Sequence, residues 1–179
     1  VLFCYELGGA PLRQLLADNE YLIAPCAYDA LSARAIQAAG FAVAGTTGYG
    51  MHGVVLGQPD TGLLALNETV SILSKMVDAV DIPILADAEG GYGSAMNVIR
   101  AVREYEKTGV AGLFIEDQKQ PPNCPFIKAP EVISTEEMVT VVKPPTSILG
   151  RITAETAAFC SSLASRPATT SSVMTWVPG

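Results

Sequence analysis

The run Ile84-Leu85-Ala86-Asp87-Ala88-Glu89-Gly90-Gly91-Tyr92-Gly93 places two carboxylates at the end of an apolar stretch and then turns on glycines. In an extended strand, side chains return to one face every second residue, so Asp87 and Glu89 are expected on one wall with Ala88 directed to the other. Like charges that close are unfavourable unless a proton or a cation lies between them. The pair therefore points to raised carboxyl pKa values or to a hard cation with oxygen ligands. The purely structural alternative is a strand that ends in solvated acids before a turn. A second acidic pair, Glu116-Asp117, follows the apolar stretch Ala111-Gly112-Leu113-Phe114-Ile115. Alternation sends these neighbours to opposite sides, and Glu116, nearer the strand proper, is the one expected to face Asp87.

Other chemistries find less support. Gly91-Tyr92-Gly93 lacks the third glycine of a dinucleotide loop, and two acids precede it where a pyrophosphate would lie. No G-x-x-x-x-G-K-[ST] run occurs. His52 is the only histidine, which excludes multi-histidine metal sites; without a G-x-S-x-G run it argues against a Ser-His-Asp triad, and a solvated or hydrogen-bonded loop residue is expected. Cys4, Cys26, Cys124 and Cys160 are widely spaced with no C-x-x-C pair, so neither zinc nor a disulfide framework is indicated. Taken alone, Cys124 reads as a small buried apolar group.

The elements that must position these acids alternate along the chain. Pro11 to Asp18 reads as an opening helix, and Tyr21 to Tyr28 as a buried strand. Asp29 caps a helix closed by Gly40, and Phe41 to Thr47 is the next strand. A long polar and glycine-rich loop is expected from Gly48 to Gly62. An amphipathic helix over Leu66 to Val80 leads into a strand over Ile82 to Ala88. A helix starting at Ser94 or Asn97 and ending at Gly109 precedes a strand over Ala111 to Glu116. A second long loop runs from Asp117 to Ile133, a helix starts at Ser134, and Ser147 to Arg151 is a fifth strand. Alternating helices and short apolar strands predict a parallel α/β sheet, and both the closed barrel and the open doubly wound sheet place active residues at strand carboxyl ends. The acids fall at those ends.

A content of 49% hydrophobic and 16% charged residues predicts a folded core over disorder. A net charge of −7 disfavours nucleic acid and anionic membrane surfaces as partners, and a small anionic substrate would need a cation. No apolar run is long enough to span a membrane, and the amino terminus lacks the pattern of a signal peptide. A reduced, cytoplasmic chain is the expectation, with a mitochondrial location left open. The first residue is Val1, which reads as an incomplete or processed start.

Taken together, Pro25-Cys26-Ala27-Tyr28-Asp29-Ala30-Leu31-Ser32-Ala33, Leu56-Gly57-Gln58-Pro59-Asp60, Asp87 to Gly93 and Ile115-Glu116-Asp117-Gln118 resemble the isocitrate lyase and phosphoenolpyruvate mutase superfamily in wording, order and spacing. The resemblance covers roughly residues 10 to 151. It implies a (β/α)8 TIM-type barrel of the phosphoenolpyruvate/pyruvate kind, of which about the first five βα units are present. It also implies Mg²⁺, with Mn²⁺ as an alternative, held by Asp87 as principal ligand with Asp60, Glu89 and Glu116 acting directly or through water. Thr47, Gly48 and Tyr49 would border a substrate carboxylate, and Arg151 would pair with one. Cys124 occupies the place of the lyase branch's general acid, so the implied activity is a carbon–carbon lyase or hydrolase working on a small 2-hydroxy or 2-oxo dicarboxylate through an enolate. Methylisocitrate-, dimethylmalate- and oxaloacetate-like acids fit that class. The alternatives are a phosphonate enzyme, mutase or hydrolase, and a catalytically impaired family member.

This chain departs from the family pattern in places. Pro122 and Phe126 stand where the lyase loop has lysine and histidine, Glu89 replaces an aspartate, and Thr153 stands where an acid commonly follows. Loss of the loop cations removes a means of lowering the thiol pKa. Beyond Ala154 the match fades, giving an expected division into a partial barrel over 1–154 and a polar tail over 155–179 that resembles the end of a truncated, spliced or frame-shifted product. Unpaired edges at the first and fifth strands would favour association, either as a homo-oligomer or with a full-length family partner.

Overall fold

The apolar residues around the acids alternate, and that alternation builds two layers of core. In the computed structural model, which describes residues 2–4, 9–124 and 127–142, five strands form one sheet: β1 (Leu2–Cys4), β2 (Cys26–Ala27), β3 (Ala44–Thr46), β4 (Ile84–Asp87) and β5 (Gly112–Phe114). Six helices accompany them: α1 (Ala10–Asp18), α2 (Ala30–Ala38), α3 (Gly48–Leu56), α4 (Leu66–Ala79), α5 (Ala95–Thr108) and α6 (Thr135–Val142). The sheet order is β1-β5-β4-β3-β2, so β2 to β5 lie side by side in chain order. These four are parallel, whereas β1 runs antiparallel along β5 with Phe3 opposite Leu113. Parallel neighbours in chain order, each followed by a helix, make the wall of a β/α barrel.

One face of this wall meets the helices. Ile84, Ala86, Ala88, Leu113 and Ile115 are buried in a cluster with Leu73 and Met76 of α4 and Val98, Val102 and Tyr105 of α5. Leu85, out of phase with that row, joins Val43 and Ala111 against Leu12 of α1 on the other side. A fully buried leucine contributes about 1.5–3 kcal/mol, so Leu12 fastens α1 across the lower part of this second face. Asp87, in phase with Leu85, is left at the carboxyl end of the same face.

The helix boundaries have local causes. Asp29 accepts from Ser32 N at 2.7 Å and Ser32 Oγ accepts from Asp29 N at 3.1 Å, a reciprocal cap on α2. Ser94 precedes α5 and Asn97 Oδ1 accepts from Ser94 N at 3.0 Å, so the helix starts from the first of the two expected positions. Gly109 ends α5 with φ +84.

Several sequence expectations are corrected. The strand expected over Tyr21 to Tyr28 pairs only at Cys26–Ala27, because Pro25 has no N–H and contributes its carbonyl to Gly45 N at 2.9 Å. The strands over 41–47, 82–88 and 111–116 shorten to their last or central residues. The stretch Gly48 to Gly62 is not a loop throughout, since its first nine residues are α3. Glycines at 48, 50 and 53 hide that helix from propensity, but Thr47 caps its start and Gly57, at φ +64, ends it. β1 has no counterpart in the sequence reading. The fifth strand expected over Ser147 to Arg151 lies outside the described residues.

Candidate metal centre

β4 stops at Asp87 and the chain turns at once. Glu89 adopts φ +52 and Tyr92 φ +65, left-handed conformations that cost an L-residue about 1–2 kcal/mol each. Asp87 and Glu89 thus come together through a kink at Glu89, not through the strand alternation expected from sequence. Ala88 does go to the opposite, helix-facing side, where it is buried. Four hydrogen bonds hold the strained turn. Glu89 N donates to Asp87 Oδ1 at 2.9 Å, Gly91 N to the Ala88 carbonyl at 2.9 Å, Tyr105 OH to the Asp87 carbonyl at 2.9 Å, and Glu116 N to the Glu89 carbonyl at 2.8 Å. The Tyr92 and Tyr105 hydroxyls, 2.7 Å apart, tie the turn to α5.

The neighbouring strand completes the wall. Asp87 N donates to Thr46 Oγ1 at 2.8 Å, and Gly48 N, at the start of α3, donates to Asp87 Oδ2 at 3.2 Å. A helix amino terminus favours negative charge, which suits that carboxylate. Gly48 is required by space: a Cβ there would run into the Glu89 carboxylate and lie 2.9 Å from Asp60 Oδ2. Asp60 arrives from the segment after α3, and its Oδ1 is buried with no hydrogen-bond partner. Glu116 is half-buried and faces the group, with Gln118 Nε2 donating to its Oε2 at 2.8 Å, while Asp117 is exposed.

The electrostatics follow from crowding acids in a poorly solvated corner. Burial, opposed by the Glu89 and Gly48 N–H groups, raises Asp87 to about 6. Burial and then the charges of Asp87, Asp60 and Glu116 raise Glu89 to about 9. Glu116 rises to about 7 through burial and repulsion from Asp87 and Asp60. Burial also raises Asp60. Burial is the largest cause of each shift, and for Asp87, Glu89 and Glu116 repulsion among the acids adds to it. Asp60 Oδ2 and the Glu89 carboxylate both border the side-chain-free space at Gly48, an oxygen set that fits a hard divalent cation. Donor atoms of His52, Asp60 and Glu89 lie within 4.8 Å of one another.

The substrate residues expected from sequence are placed less simply. Gly48 N–H is committed to Asp87, and Thr47 Oγ1 accepts from Gly50 N at 3.4 Å as the α3 cap, so both serve the frame of the site. Tyr49 is exposed and lines a cleft of about 570 Å³ together with Tyr28, Gln58, Ile127 and the buried Cys124. Arg151, Phe126 and Thr153 lie outside the described residues. Sequence reasoning assigned no role to Thr46, Gln118 or His52. Gln118 bridges Glu116 to Asn123 N, which donates to its Oε1 at 3.1 Å, and so links the acid cluster to the residue before Cys124. Its position in Ile115-Glu116-Asp117-Gln118 was the available signal. His52 is fully buried within α3, not solvated in a loop.

A family model described as phosphoenolpyruvate phosphomutase matches residues 12–158. The chain is 45% identical over 134 residues to a 2,3-dimethylmalate lyase of Eubacterium barkeri, covering 75% of this chain and 46% of that protein. It is 41% identical over 129 residues to an isocitrate lyase of Haloferax volcanii, covering 70% and 36%. Among solved structures, an oxaloacetate acetylhydrolase in complex with 3,3-difluorooxalacetate superposes with a TM-score of 0.70 at 33% identity, covering 77% of this chain and 48% of that one. The chain spans less than half the length of these relatives. Its four parallel strands and their helices are part of a TIM-type barrel.

Proposed function

The chain belongs to the isocitrate lyase and phosphoenolpyruvate mutase superfamily, and on that premise we propose that its acid cluster is a Mg²⁺ site serving carbon–carbon bond cleavage in a small 2-hydroxy or 2-oxo dicarboxylate. The observation that carries the reading is that Asp60 and Glu89 offer oxygens within 4.8 Å of each other at the space left by Gly48, whose N–H also holds Asp87 Oδ2, while Glu116 lies near enough to feel the charges of Asp87 and Asp60. These four carboxylates would hold Mg²⁺ or Mn²⁺, some of them through water. When bound, the ion would supply positive charge opposite the oxygen that becomes anionic as the carbon–carbon bond opens.

The chain's own residues supply the rest. Gly48 N–H and Glu89 N–H fix the Asp87 carboxylate, so its oxygens need no reorganisation when substrate arrives. The cleft beside Tyr49 and Tyr28, lined also by Gln58 and Pro59 just before Asp60 and by the buried Cys124, has room for a small acid. Cys124 gives its S–H proton to the carbon left electron-rich by cleavage; in a 2-hydroxy acid the hydroxyl proton passes to water as the other fragment becomes a carbonyl, and the thiolate takes a proton back from water that enters the cleft when product leaves. Arg151 is assigned to a substrate carboxylate by sequence position alone. We assign this machinery to residues 1–154, and by composition alone 155–179 read as a polar stretch outside it.

The 2,3-dimethylmalate lyase and the isocitrate lyase, 45% and 41% identical to this chain, exceed the 38% of a carboxyvinyl-carboxyphosphonate phosphorylmutase of Arabidopsis thaliana over a similar share of the chain, which favours carbon–carbon over phosphonate chemistry. Incubation of the purified chain with dimethylmalate, methylisocitrate and oxaloacetate tests the reading. Mg²⁺-dependent release of pyruvate, glyoxylate or oxalate, abolished by EDTA and reduced at least about a hundredfold in Cys124→Ser, is expected. Turnover indifferent to EDTA, or no turnover of any such acid, rejects it.

A further inference from the structure

His52 is buried one turn into α3 and both of its ring nitrogens are engaged. Nε2 lies 3.1 Å from Leu63 N and 3.2 Å from Leu64 N. Both neighbours are donors, so Nε2 presents its lone pair and carries no proton. The neutral ring then holds its proton on Nδ1, which lies 2.8 Å from the Gly48 carbonyl oxygen. A carbonyl can only accept, so this contact independently requires N–H at Nδ1. The same N–H lies 3.3 Å from Asp60 Oδ1, the buried oxygen that lacks a proper hydrogen bond. Proximity alone would make His52 a third metal donor beside Asp60 and Glu89. Its tautomer argues otherwise, because a protonated Nδ1 has no lone pair to offer a cation.

We propose that His52 is a positioning residue for the acid cluster and not a ligand. The Nδ1–H bonds the Gly48 carbonyl and turns its positive end toward Asp60 Oδ1, with the nitrogen 3.3 Å away and outside hydrogen-bond geometry, while Nε2 pins the segment that leads from Asp60 into α4. Asp60 is thereby turned so that Oδ2 faces the space at Gly48 beside Glu89. A metal-site histidine commonly binds the ion through one nitrogen and an outer group through the other. Here both nitrogens serve outer groups. The inference rests on the metal reading of the cluster given above.

His52 is the only histidine, so a ¹⁵N-imidazole spectrum of the full chain reports its tautomer without assignment. A protonated Nδ1 and an unprotonated Nε2 at neutral pH are expected, and the same pattern after addition of Mn²⁺-sized diamagnetic Cd²⁺. A proton on Nε2, or direct coupling of Nδ1 to ¹¹³Cd, overturns the proposal. Two variants separate the two nitrogens: His52→Asn keeps an N–H near Nδ1, and His52→Gln keeps an acceptor near Nε2. Mn²⁺ affinity by calorimetry should stay within about threefold of wild type in His52→Asn and fall about tenfold or more in His52→Gln, the scale seen when outer groups around a metal are removed. Equal losses in both variants, or none in either, count against positioning through Nδ1. A wild-type chain that binds no Mn²⁺ defeats the metal reading and this role with it. An Nε2–H ring in a chain that does bind Mn²⁺ defeats this role alone.

Discussion

At the scale of single residues, Asp87 is the fixed point of the site. Its carboxylate accepts from Gly48 and Glu89, its carbonyl from Tyr105, and its N–H reaches Thr46. Such fixation next to other acids destabilises the metal-free fold. In the folded chain Asp87, Glu116 and Glu89 are raised to about 6, 7 and 9, against about 4 for a free carboxyl. Between those limits the folded state binds more protons than the unfolded one, so stability falls as pH rises. In EDTA, the thermal midpoint should therefore drop between about pH 5 and about pH 8, and Mg²⁺ should flatten that slope. A midpoint that climbs with pH in EDTA would contradict the assignment. Glu89→Gln separates the two effects at one position. At neutral pH the metal-free chain must protonate Glu89 as it folds, a cost that glutamine does not carry, so the metal-free midpoint should rise while Mn²⁺ binding weakens about tenfold or more; a change of both in the same direction would argue against a shared acidic site.

Among the elements, the two that frame the cluster differ in how well the sequence announces them. The apolar stretch before Asp87 and the glycines after it mark a strand and a turn, and both form. The kink at Glu89 was not legible, because a non-glycine residue at φ +52 is dictated by its hydrogen bonds and not by its type. α3 was read as loop because its glycines suppress helix propensity, yet glycine at 48 is what leaves space for the Glu89 and Asp60 carboxylates. Gly48→Ala tests that account. Gly48 is the first residue of α3, where alanine gains less than the roughly 1 kcal/mol of a helix interior, and the added Cβ would meet the Glu89 and Asp60 carboxylates, so the thermal midpoint and Mn²⁺ affinity should both fall; an unchanged Mn²⁺ affinity would contradict the account. Gly91 is different. With φ +83 and Val98 packed against it, Gly91→Ala should destabilise by about 1–2 kcal/mol in denaturant titration, and an unchanged midpoint would remove the argument that this turn is under conformational constraint.

For the molecule as a whole, the alternation of strand and helix and the placement of acids at strand ends were legible, and the four parallel strands in chain order follow that reading. β1 was not, since a three-residue strand carries no periodicity to detect and its partner, β5, lies more than a hundred residues away in the chain. β1 pairs along the outer side of β5, which would otherwise present unpaired N–H and C=O groups. Deleting residues 1–4 should increase self-association of the chain, seen by light scattering after gel filtration, and an unchanged mass would show that the β5 edge is protected by other means. No helix among the described residues is long and apolar enough to cross a membrane. The central claim, that the carboxyl ends of β4 and β5 form a divalent metal site, is tested most directly by titrating the chain with Mn²⁺ and following the free ion by electron paramagnetic resonance. One saturable site, competed by Mg²⁺ and weakened about tenfold or more in Asp87→Asn, is the result predicted; no saturable binding, or equal binding by Asp87→Asn, would contradict it.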